Sequence, residues 1–154
     1  MAGDAPTLYT PFRPRMTRVV GAGIGGLLTV SGVVLWLTSP GAPGTGYDAL
    51  NTAGLVAVLS LGLLLVWRHA TVHALVTPEG IRVRNLVHTT VLAWDQIEGV
   101  RFGSGQPWVS LDLVDGNELA VMAVQSADGA FATQEARRLA TLVGAHGTPR
   151  PPAG

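Results

Sequence analysis

The chain has 154 residues, which leaves room for one or two small folding units. Only 13% of the residues are charged, well below the roughly 25% of an ordinary soluble domain, and 47% are hydrophobic, so the composition favours a membrane protein. Ten arginines balance ten acidic residues, which gives no argument for a nucleic-acid partner, and the lack of cysteine excludes disulfides, thiolate metal sites and thiol nucleophiles.

The first predicted element contains the stretch RVVGAGIGGL, in which Gly21, Gly23 and Gly26 spell G-x-G-x-x-G. In a dinucleotide-binding protein this string follows a strand, opens an amphipathic helix and precedes a second strand that ends in an acid. Here a basic, proline-broken stretch precedes it and an uncharged apolar run follows, while the next acid, Asp48, comes after a loop. We therefore reject a dinucleotide site and expect no cofactor.

Two uncharged apolar runs, residues 19–37 and 49–67, predict a pair of transmembrane helices. A helix of nineteen residues is about 28 Å long, close to the thickness of the hydrocarbon core of a bilayer. A signal peptide would have a shorter apolar core, and a second span would not follow it. The linker is rich in Pro, Gly, Ser and Thr, so we expect a helical hairpin over residues 16–68, preceded by a cytoplasmic tail of residues 1–15.

Small residues recur on one face of each predicted helix. Gly21, Gly25 and Gly32 are spaced by four and seven residues, and small residues let helices approach closely in lipid. Membrane helices are also rich in glycine for no such reason. We expect these three glycines to pack against another helix, which allows a homo-oligomer without requiring one. On the second span, Ala53, Ala57 and Ser60 are expected to form a small face.

The arginines predict the orientation of the hairpin. Arg13, Arg15 and Arg18 precede the first span, Arg68 follows the second, and residues 38–48 between the spans have no basic residue. Because positive residues stay on the cytoplasmic side, we expect a multi-pass protein of the cell membrane with both termini in the cytoplasm. Aromatic residues suited to the headgroup layer stand at the span ends, namely Trp36, Tyr47 and Trp67.

From residue 70 onward the pattern changes to that of short strands. In IRVRNL, residues 81–86, Ile81 and Val83 alternate with Arg82 and Arg84, so the valine and isoleucine are expected inside and the arginines outside. Asp115-Gly116 is a hairpin signal. The other predicted strands are residues 70–77, 89–94, 97–102, 108–113 and 118–124. Six short strands without intervening helices predict an antiparallel barrel or sandwich.

One amphipathic helix is expected after the strands. Residues 129–143 carry apolar side chains at helical spacing, with Asp128 as the predicted N-cap and Gly144 as the residue that ends the helix. Arg137 and Arg138 fall on the predicted polar face. A helix that caps or plugs a curved sheet makes residues 70–145 a single α+β domain, and residues 146–154 are expected to be a disordered tail.

Several residues that resemble site residues have structural explanations. We interpret Trp94 and Ile97 as core residues because large aromatics dominate small cores. His69 and His73 are four apart, but no third ligand is near in sequence, so we expect no metal. We interpret Asp112 as an outward strand residue and Asp115 as a turn former. With no nucleophile and base in view, we expect no enzymatic activity.

The arginines of the strand region are the remaining candidates. Arg82 and Arg84 share a strand face, Arg101 is expected nearby, and Arg68 is expected at the membrane surface. Exposed arginines are often only solvated, but each one near a bilayer can add about 1 kcal/mol of attraction to anionic headgroups. We therefore interpret these four arginines as candidate contacts for lipid or for a protein partner.

A family resemblance rests on motifs spread over residues 13–143. An N-terminal RPR and two spans precede VTPEGIRVRNL, LAWDQIEGVRF, PWVSLDLVDG and VMAVQ. In these motifs the chain resembles small actinobacterial membrane proteins that contain a PH domain and are related to low molecular weight protein antigen 6. The resemblance implies a bacterial pleckstrin-homology-like fold, with two bent sheets closed at one corner by the C-terminal helix, and it brings no established catalytic residues.

Together these expectations describe a non-enzymatic integral membrane protein. Its two spans lie in the lipid bilayer, and a cytoplasmic PH-like domain recruits or contacts another membrane protein at the inner face. The alternative is a sensor of anionic lipid that acts through the basic strand face, Arg82 and Arg84.

Overall fold

The computed structural model describes residues 9–38 and 49–146. The chain divides into two compact units, a helical unit of residues Thr17–Thr71 and a second unit that joins the N-terminal residues up to Met16 to the chain from Val72 onward. Of the expected external loop, residues 38–48, and the expected tail, residues 146–154, only Thr38 and His146 lie within the described residues.

The helical unit consists of α1, Met16–Thr38, and α2, Ala49–Ala70. Both helices are long and apolar enough to cross a membrane. Within α1 the hydroxyl of Thr29 donates to the carbonyl of Gly25 at 2.8 Å, and that of Thr38 donates to the carbonyl of Val34 at 2.8 Å. Such bonds to the carbonyl four residues earlier satisfy the hydroxyl groups within the helix itself.

The two helices of this unit pack through glycines. A Cβ atom added at Gly21 or Gly25 would lie 3.7 or 3.6 Å from a methyl group of Val66, and one added at Gly32 would lie 2.5 Å from a methyl group of Leu59. All three glycines therefore lie on the face of α1 that meets α2.

The partner face of α2 differs from the expected one. Ala53, Ala57 and Ser60 are exposed, whereas the half-buried residues in this region are spaced by four, three and four positions: Leu55, Leu59, Gly62 and Val66. The predicted small face was wrong because the gaps left by glycines on α1 are filled by large side chains of α2. Small residues are needed on only one of the two surfaces.

The second unit contains two three-stranded antiparallel sheets. The first sheet has the order β1-β2-β3 and the second the order β4-β5-β6. The strands are β1 His73–Thr77, β2 Gly80–Arg84, β3 Thr89–Ala93, β4 Ile97–Arg101, β5 Trp108–Leu113 and β6 Glu118–Gln125. All six predicted strands are present, with boundaries shifted by a few residues. The first sheet begins later than expected because α2 continues to Ala70.

The core of this unit lies between the sheets and the terminal helix α3, Ala130–His146. Ile81 and Val83 are buried, as the alternation of β2 predicted. Trp94 and Ile97 are also buried, and the indole Nε1 of Trp94 donates to the carbonyl of Thr77 at 3.0 Å. Both are therefore confirmed as core residues.

The predicted ends of the terminal helix were both wrong. Gly144 does not end α3, since among the described residues only Gly105, Gly116 and Gly129 have positive φ, and the helix continues to His146. Asp128 lies in a short 3-10 turn, Ser126–Asp128, and Gly129 separates it from the helix. Its carboxylate is bound to other backbone groups, described below.

Asn85 joins the two sheets at one corner. Its amide Nδ2 donates to the carbonyl of Ala120 at 2.7 Å, and its Oδ1 accepts the backbone N–H of Met122 at 3.1 Å. Asn85 follows β2 directly, while Ala120 and Met122 belong to β6. One side-chain amide thus supplies both a donor and an acceptor between the end of β2 and β6, which belong to different sheets.

Candidate functional site

The predicted basic residues of β2 lie on the outer face of the first sheet. Arg82 is paired with Leu75 on one side and Val91 on the other. Arg84 is paired with His73 and Thr89. We call this surface the basic strand face and define it by these two arginines and their four cross-strand neighbours. Val91 is 68% exposed, so the face combines positive charge with apolar surface.

Ion pairs involve only some of the arginines of this unit. Within the described residues, the ion pairs involve Arg101 and Arg138 and include neither Arg82 nor Arg84. Among these residues, no ion pair therefore neutralises the guanidinium groups of β2.

Arg101 does not contribute to the basic strand face. It lies on β4 of the second sheet, where its guanidinium is 2.6 Å from both Asp112 and Glu118. The hydrogen bond and charge of Asp112, with the charge of Glu118, raise the pKa of Arg101 above its usual value. The pKa of Glu118 is lowered, first by a hydrogen bond from Ser110 and then by the charge of Arg101. This cluster occupies the charge of Arg101 with two carboxylates and ties β4, β5 and β6 together.

Arg68 belongs to the helical unit, near the end of α2. The four arginines grouped by the sequence analysis therefore fall into three settings: Arg82 and Arg84 on the basic strand face, Arg101 in a three-membered cluster, and Arg68 on a helix. Arg101 was expected near β2, but the sequence does not show which sheet β4 joins, and β4 belongs to the second sheet.

A segment before the first helix forms a second surface feature that the sequence analysis missed. Phe12 pairs with Ala74 of β1, with N–H to carbonyl distances of 2.9 and 3.1 Å in the two directions. The side chain of Phe12 is 0% exposed, and it is the largest fully buried side chain among the described residues. We call residues Tyr9–Met16 the N-terminal strap. The described part of residues 1–15, which were expected to be a tail, is instead packed into the β unit.

Arg138 of α3 holds the centre of the strap. Its guanidinium carbon lies 3.9 Å from the centre of the Phe12 ring, and it donates to the carbonyl of Thr10 at 2.9 Å and to the hydroxyl of Thr10. It also forms an ion pair of 2.7 Å with Glu135, the two side chains being 8% and 13% exposed. Arg138 was expected on the polar face of the helix, but it is buried because the strap covers that part of α3.

The two ends of the strap are held at opposite ends of α3. The Tyr9 hydroxyl lies 2.9 Å from Nε2 of His146, near the end of the helix. At the other end, the Arg15 guanidinium lies 3.8 Å from the centre of the Phe131 ring. The Asp128 carboxylate accepts the backbone N–H groups of Arg15 and Met16, at 3.1 and 2.7 Å. The strap therefore runs antiparallel to α3 over the whole helix.

One signal in the sequence pointed to an ordered strap. In Pro11-Phe12-Arg13-Pro14, a large aromatic residue stands between two prolines. Residues that precede proline favour extended backbone, and an extended segment with a central aromatic suits the edge of a sheet.

The remaining chemical candidates have structural roles. In residues 9–38 and 49–146, no group of three or more His, Asp or Glu side chains is placed to hold a metal ion. Asp112 pairs with Arg101, and Asp115 stabilises its turn by accepting the backbone N–H of Asn117, which lowers the pKa of Asp115. An open cleft of about 660 Å³ near the start of α3 is lined by uncharged residues, among them Phe102, Ser104 and Thr133.

Comparison with known proteins agrees with this architecture. The sequence profile of the family described as Bacterial PH domain matches residues 71–142. The matched region contains all six strands and most of α3, and it leaves out α1, α2 and the N-terminal strap. PH domains are typically non-catalytic interaction modules. The matched profile indicates no enzyme family.

Relatives come from mycobacteria. Uncharacterized proteins of Mycobacterium bovis and of two strains of Mycobacterium tuberculosis are 35% identical to this chain over 88 residues. The alignment covers 55% of this chain and 57% of each relative, so the chain spans little more than half the length of these curated relatives. No solved structure shows a significant match. The two three-stranded sheets and the C-terminal helix are consistent with the PH-like fold that the family profile indicates for residues 71–142.

Proposed function

We propose that this chain is a non-enzymatic integral membrane protein that holds its PH-like domain at the cytoplasmic face of the cell membrane, where the domain binds another membrane-associated protein. We further propose that it is one of the actinobacterial PH-domain proteins related to low molecular weight protein antigen 6. The observation that carries the proposal is the pairing of a PH-like domain with two long apolar helices whose side chains remain exposed.

The exposure of these helices supports a lipid environment. Leu27 is 68% exposed and Val58 is 70% exposed, and of the most apolar windows of α1 and α2 only 6% and 0% of residues are buried. The core helix of a soluble protein would bury such side chains, because each fully buried one contributes about 1.5–3 kcal/mol. In a bilayer the same side chains face hydrocarbon.

The strap supports a hairpin in which both helices cross the membrane. Phe12 precedes α1 and Ala74 follows α2, yet their backbones are hydrogen-bonded within one folded unit. Two segments of one folded unit lie on the same side of a membrane, so the chain between them crosses it an even number of times. A cleaved signal sequence at α1 would separate the strap from the domain. The arginines that flank the spans favour the cytoplasm as the shared side.

Topology mapping tests this part of the proposal. Reporters active only in the cytoplasm are fused after Gly154 and within residues 38–48, and the full chain is extracted with and without detergent. We expect activity from the C-terminal fusion alone and extraction only by detergent. A soluble full-length chain, or a C-terminal reporter active only outside, would contradict membrane insertion with a cytoplasmic domain.

Protein recruitment is the role that fits a tethered interaction module. Confinement to a membrane raises the effective concentration of neighbouring membrane proteins, so a modest binding surface is sufficient. Crosslinkers placed on the domain in living cells are expected to capture the same membrane-associated protein repeatedly. Crosslinking that recovers no recurrent partner above the level of a chain with the helices alone would contradict recruitment.

The basic strand face favours a second candidate function, the sensing of anionic lipid. Arg82 and Arg84 have no carboxylate within ion-pair distance among the described residues. Each can add about 1 kcal/mol of attraction to an anionic leaflet. The test reconstitutes the full chain in nanodiscs with and without anionic lipid. Protection of the β2 amides from hydrogen exchange should require anionic lipid and disappear in R82Q/R84Q, and protection independent of either would remove this candidate.

A further inference from the structure

We propose that the groove between β1 and α3 is the peptide-binding groove of the domain, and that the N-terminal strap occupies it as a built-in ligand. The partner is a protein that presents an extended segment of the same kind, an aromatic residue between two prolines, and binds by displacing the strap. This inference rests on the proposed function as a protein-interaction module and names the surface that the interaction uses.

The backbone of the strap binds β1 by strand addition. Ala74 and Phe12 exchange both N–H to carbonyl bonds, which is the closed pair of an antiparallel ladder. Addition of an extended peptide to a sheet edge is a common mode of recognition, in which backbone bonds give affinity and side-chain sites give specificity. β1 is an edge strand of its sheet, so any extended segment that reaches it can make the same bonds.

Side-chain sites along the groove define the partner. The central site takes an aromatic ring, because Phe12 is wholly buried beneath the guanidinium of Arg138. Two residues earlier, Arg138 also binds a backbone carbonyl and a hydroxyl, those of Thr10. Pro14, two residues later, is also buried. A segment of the pattern hydroxyl-Pro-aromatic-x-Pro therefore satisfies each of these sites.

The backbone pairing of the strap with β1 is small compared with that of a strand, although side chains add to its attachment. One bridge joins it to β1, whereas β1 and β2 are paired at five consecutive positions. Segments with few backbone bonds open at lower free energy than the central strands of the same domain. Displacement of the strap therefore leaves the ladder of the first sheet intact.

The family comparison separates the groove from its occupant. Ala74, Phe131 and Arg138 all fall within residues 71–142, which match the bacterial PH domain, while the strap lies outside that region. The walls of the groove are thus part of the domain, and the segment that fills it is supplied by the chain that precedes the helices.

A competition experiment on the full chain in detergent tests the proposal. The probe is a fluorescent peptide with the sequence of residues 7–16, TLYTPFRPRM, and a second probe replaces its phenylalanine by alanine. F12A weakens the strap and leaves the groove intact. We expect F12A to bind the first probe at least about tenfold more tightly than the wild-type chain does, because apparent affinity falls with the fraction of open groove. The alanine probe should bind neither chain.

The control variant is R13A, since Arg13 is exposed and adjacent to the anchor. It should behave as the wild type. A folded F12A chain that does not bind the probe, or one that binds both probes equally, overturns the proposal. Folding is checked by circular dichroism and a cooperative melt.

Hydrogen exchange of the wild-type chain gives a second measurement that needs no substitution. The amides of Phe12 and Ala74 should exchange faster than the amides of the central strand β2, and addition of excess probe peptide should leave the β2 amides unchanged. Equal protection of the strap and β2 would show a permanent part of the fold and overturn the proposal. Membrane partners whose crosslinking is unaffected by F12A would leave recruitment standing while removing this groove as its site.

Discussion

At the scale of single residues, two polar side chains hold the β unit together from within. Asn85 links the end of β2 to β6, and Arg138 links α3 to the N-terminal strap. Neither role was visible in the sequence. Asn85 follows a strand, where asparagine usually indicates a turn, and Arg138 occupies a helical position that the apolar pattern assigns to solvent. Both roles depend on partners that are distant in sequence, 35 and 37 residues from Asn85 and 128 from Arg138.

Replacing Asn85 tests its role at the corner. N85A leaves the carbonyl of Ala120 and the N–H of Met122 without their partner, and we expect a loss of about 1–3 kcal/mol in the free energy of unfolding. N85D should be similarly destabilising because a carboxylate cannot donate to Ala120. Denaturant titration of the full chain in detergent measures the effect. N117A, in an exposed turn, is the control, and equal midpoints for N85A and N117A would contradict the role.

Replacing Arg138 tests the buried ion pair. R138M leaves Glu135 charged and poorly solvated and removes the bonds to Thr10, so we expect a loss of about 3–5 kcal/mol. R137A, one residue earlier and exposed, should change the free energy of unfolding by no more than about 0.5 kcal/mol. Thermal melts of the two variants side by side decide the matter. Similar melting temperatures would mean that Arg138 is as solvated as the helical pattern suggested.

At the scale of elements, local periodicity predicted most of the structure. The alternation of β2, the Asp115-Gly116 turn and the apolar runs of α1 and α2 each encode their element locally, and all were found where expected. Errors arose where one element meets another. The small side chains of α2 suggested the wrong packing face of that helix. A large side chain, Leu59, fills the space that Gly32 leaves. The strap has no periodicity, and its one local signal, an aromatic residue between two prolines, does not show which element it packs against.

Gly32 offers a test of helix packing. G32V places a branched side chain where a single Cβ would already lie 2.5 Å from Leu59, and we expect destabilisation of about 1–3 kcal/mol by overpacking. G26V is the control, because a Cβ at Gly26 meets nothing within 4 Å. The readout is the yield of an engineered crosslink between α1 and α2. Equal yields in both variants would exclude close packing at Gly32.

The cluster of Arg101, Asp112 and Glu118 predicts a dependence of stability on pH. The pKa of Glu118 is lower in the folded protein than its usual value of 4.5. Its contribution is therefore complete above pH 4.5 and is lost as the pH falls through the lowered pKa. We expect the melting temperature of E118Q to decline less steeply in acid than that of the wild type. E98Q, also exposed on the second sheet, is the control, and parallel acid profiles for E118Q and the wild type would exclude the linkage.

At the scale of the whole molecule, the β unit is discontinuous in sequence. The strap and the chain from Val72 onward fold together although residues Thr17–Thr71 separate them. Expected domain boundaries lie where the sequence pattern changes. Such changes place the strap in a tail and the start of the domain near residue 70. A boundary of this kind follows from the burial of one aromatic residue, Phe12, and not from any compositional change.

A fragment experiment tests the discontinuous unit. Residues 72–146 without the strap lose the burial of Phe12, worth about 1.5–3 kcal/mol, and should melt several degrees lower than the same fragment with residues 9–16 added by a flexible linker. Differential scanning fluorimetry of both fragments is sufficient. Identical melting temperatures would contradict a contribution of the strap to stability.

The distance along the chain between the strap and its partners also sets an order of events during synthesis. Thr10 leaves the ribosome early, but Arg138, which binds it, is made 128 residues later. Until then Phe12 has no complete pocket, and the closing of so long a loop comes late in assembly. Maturation of the domain therefore waits for α3 to be translated, by which time both apolar segments have already left the ribosome.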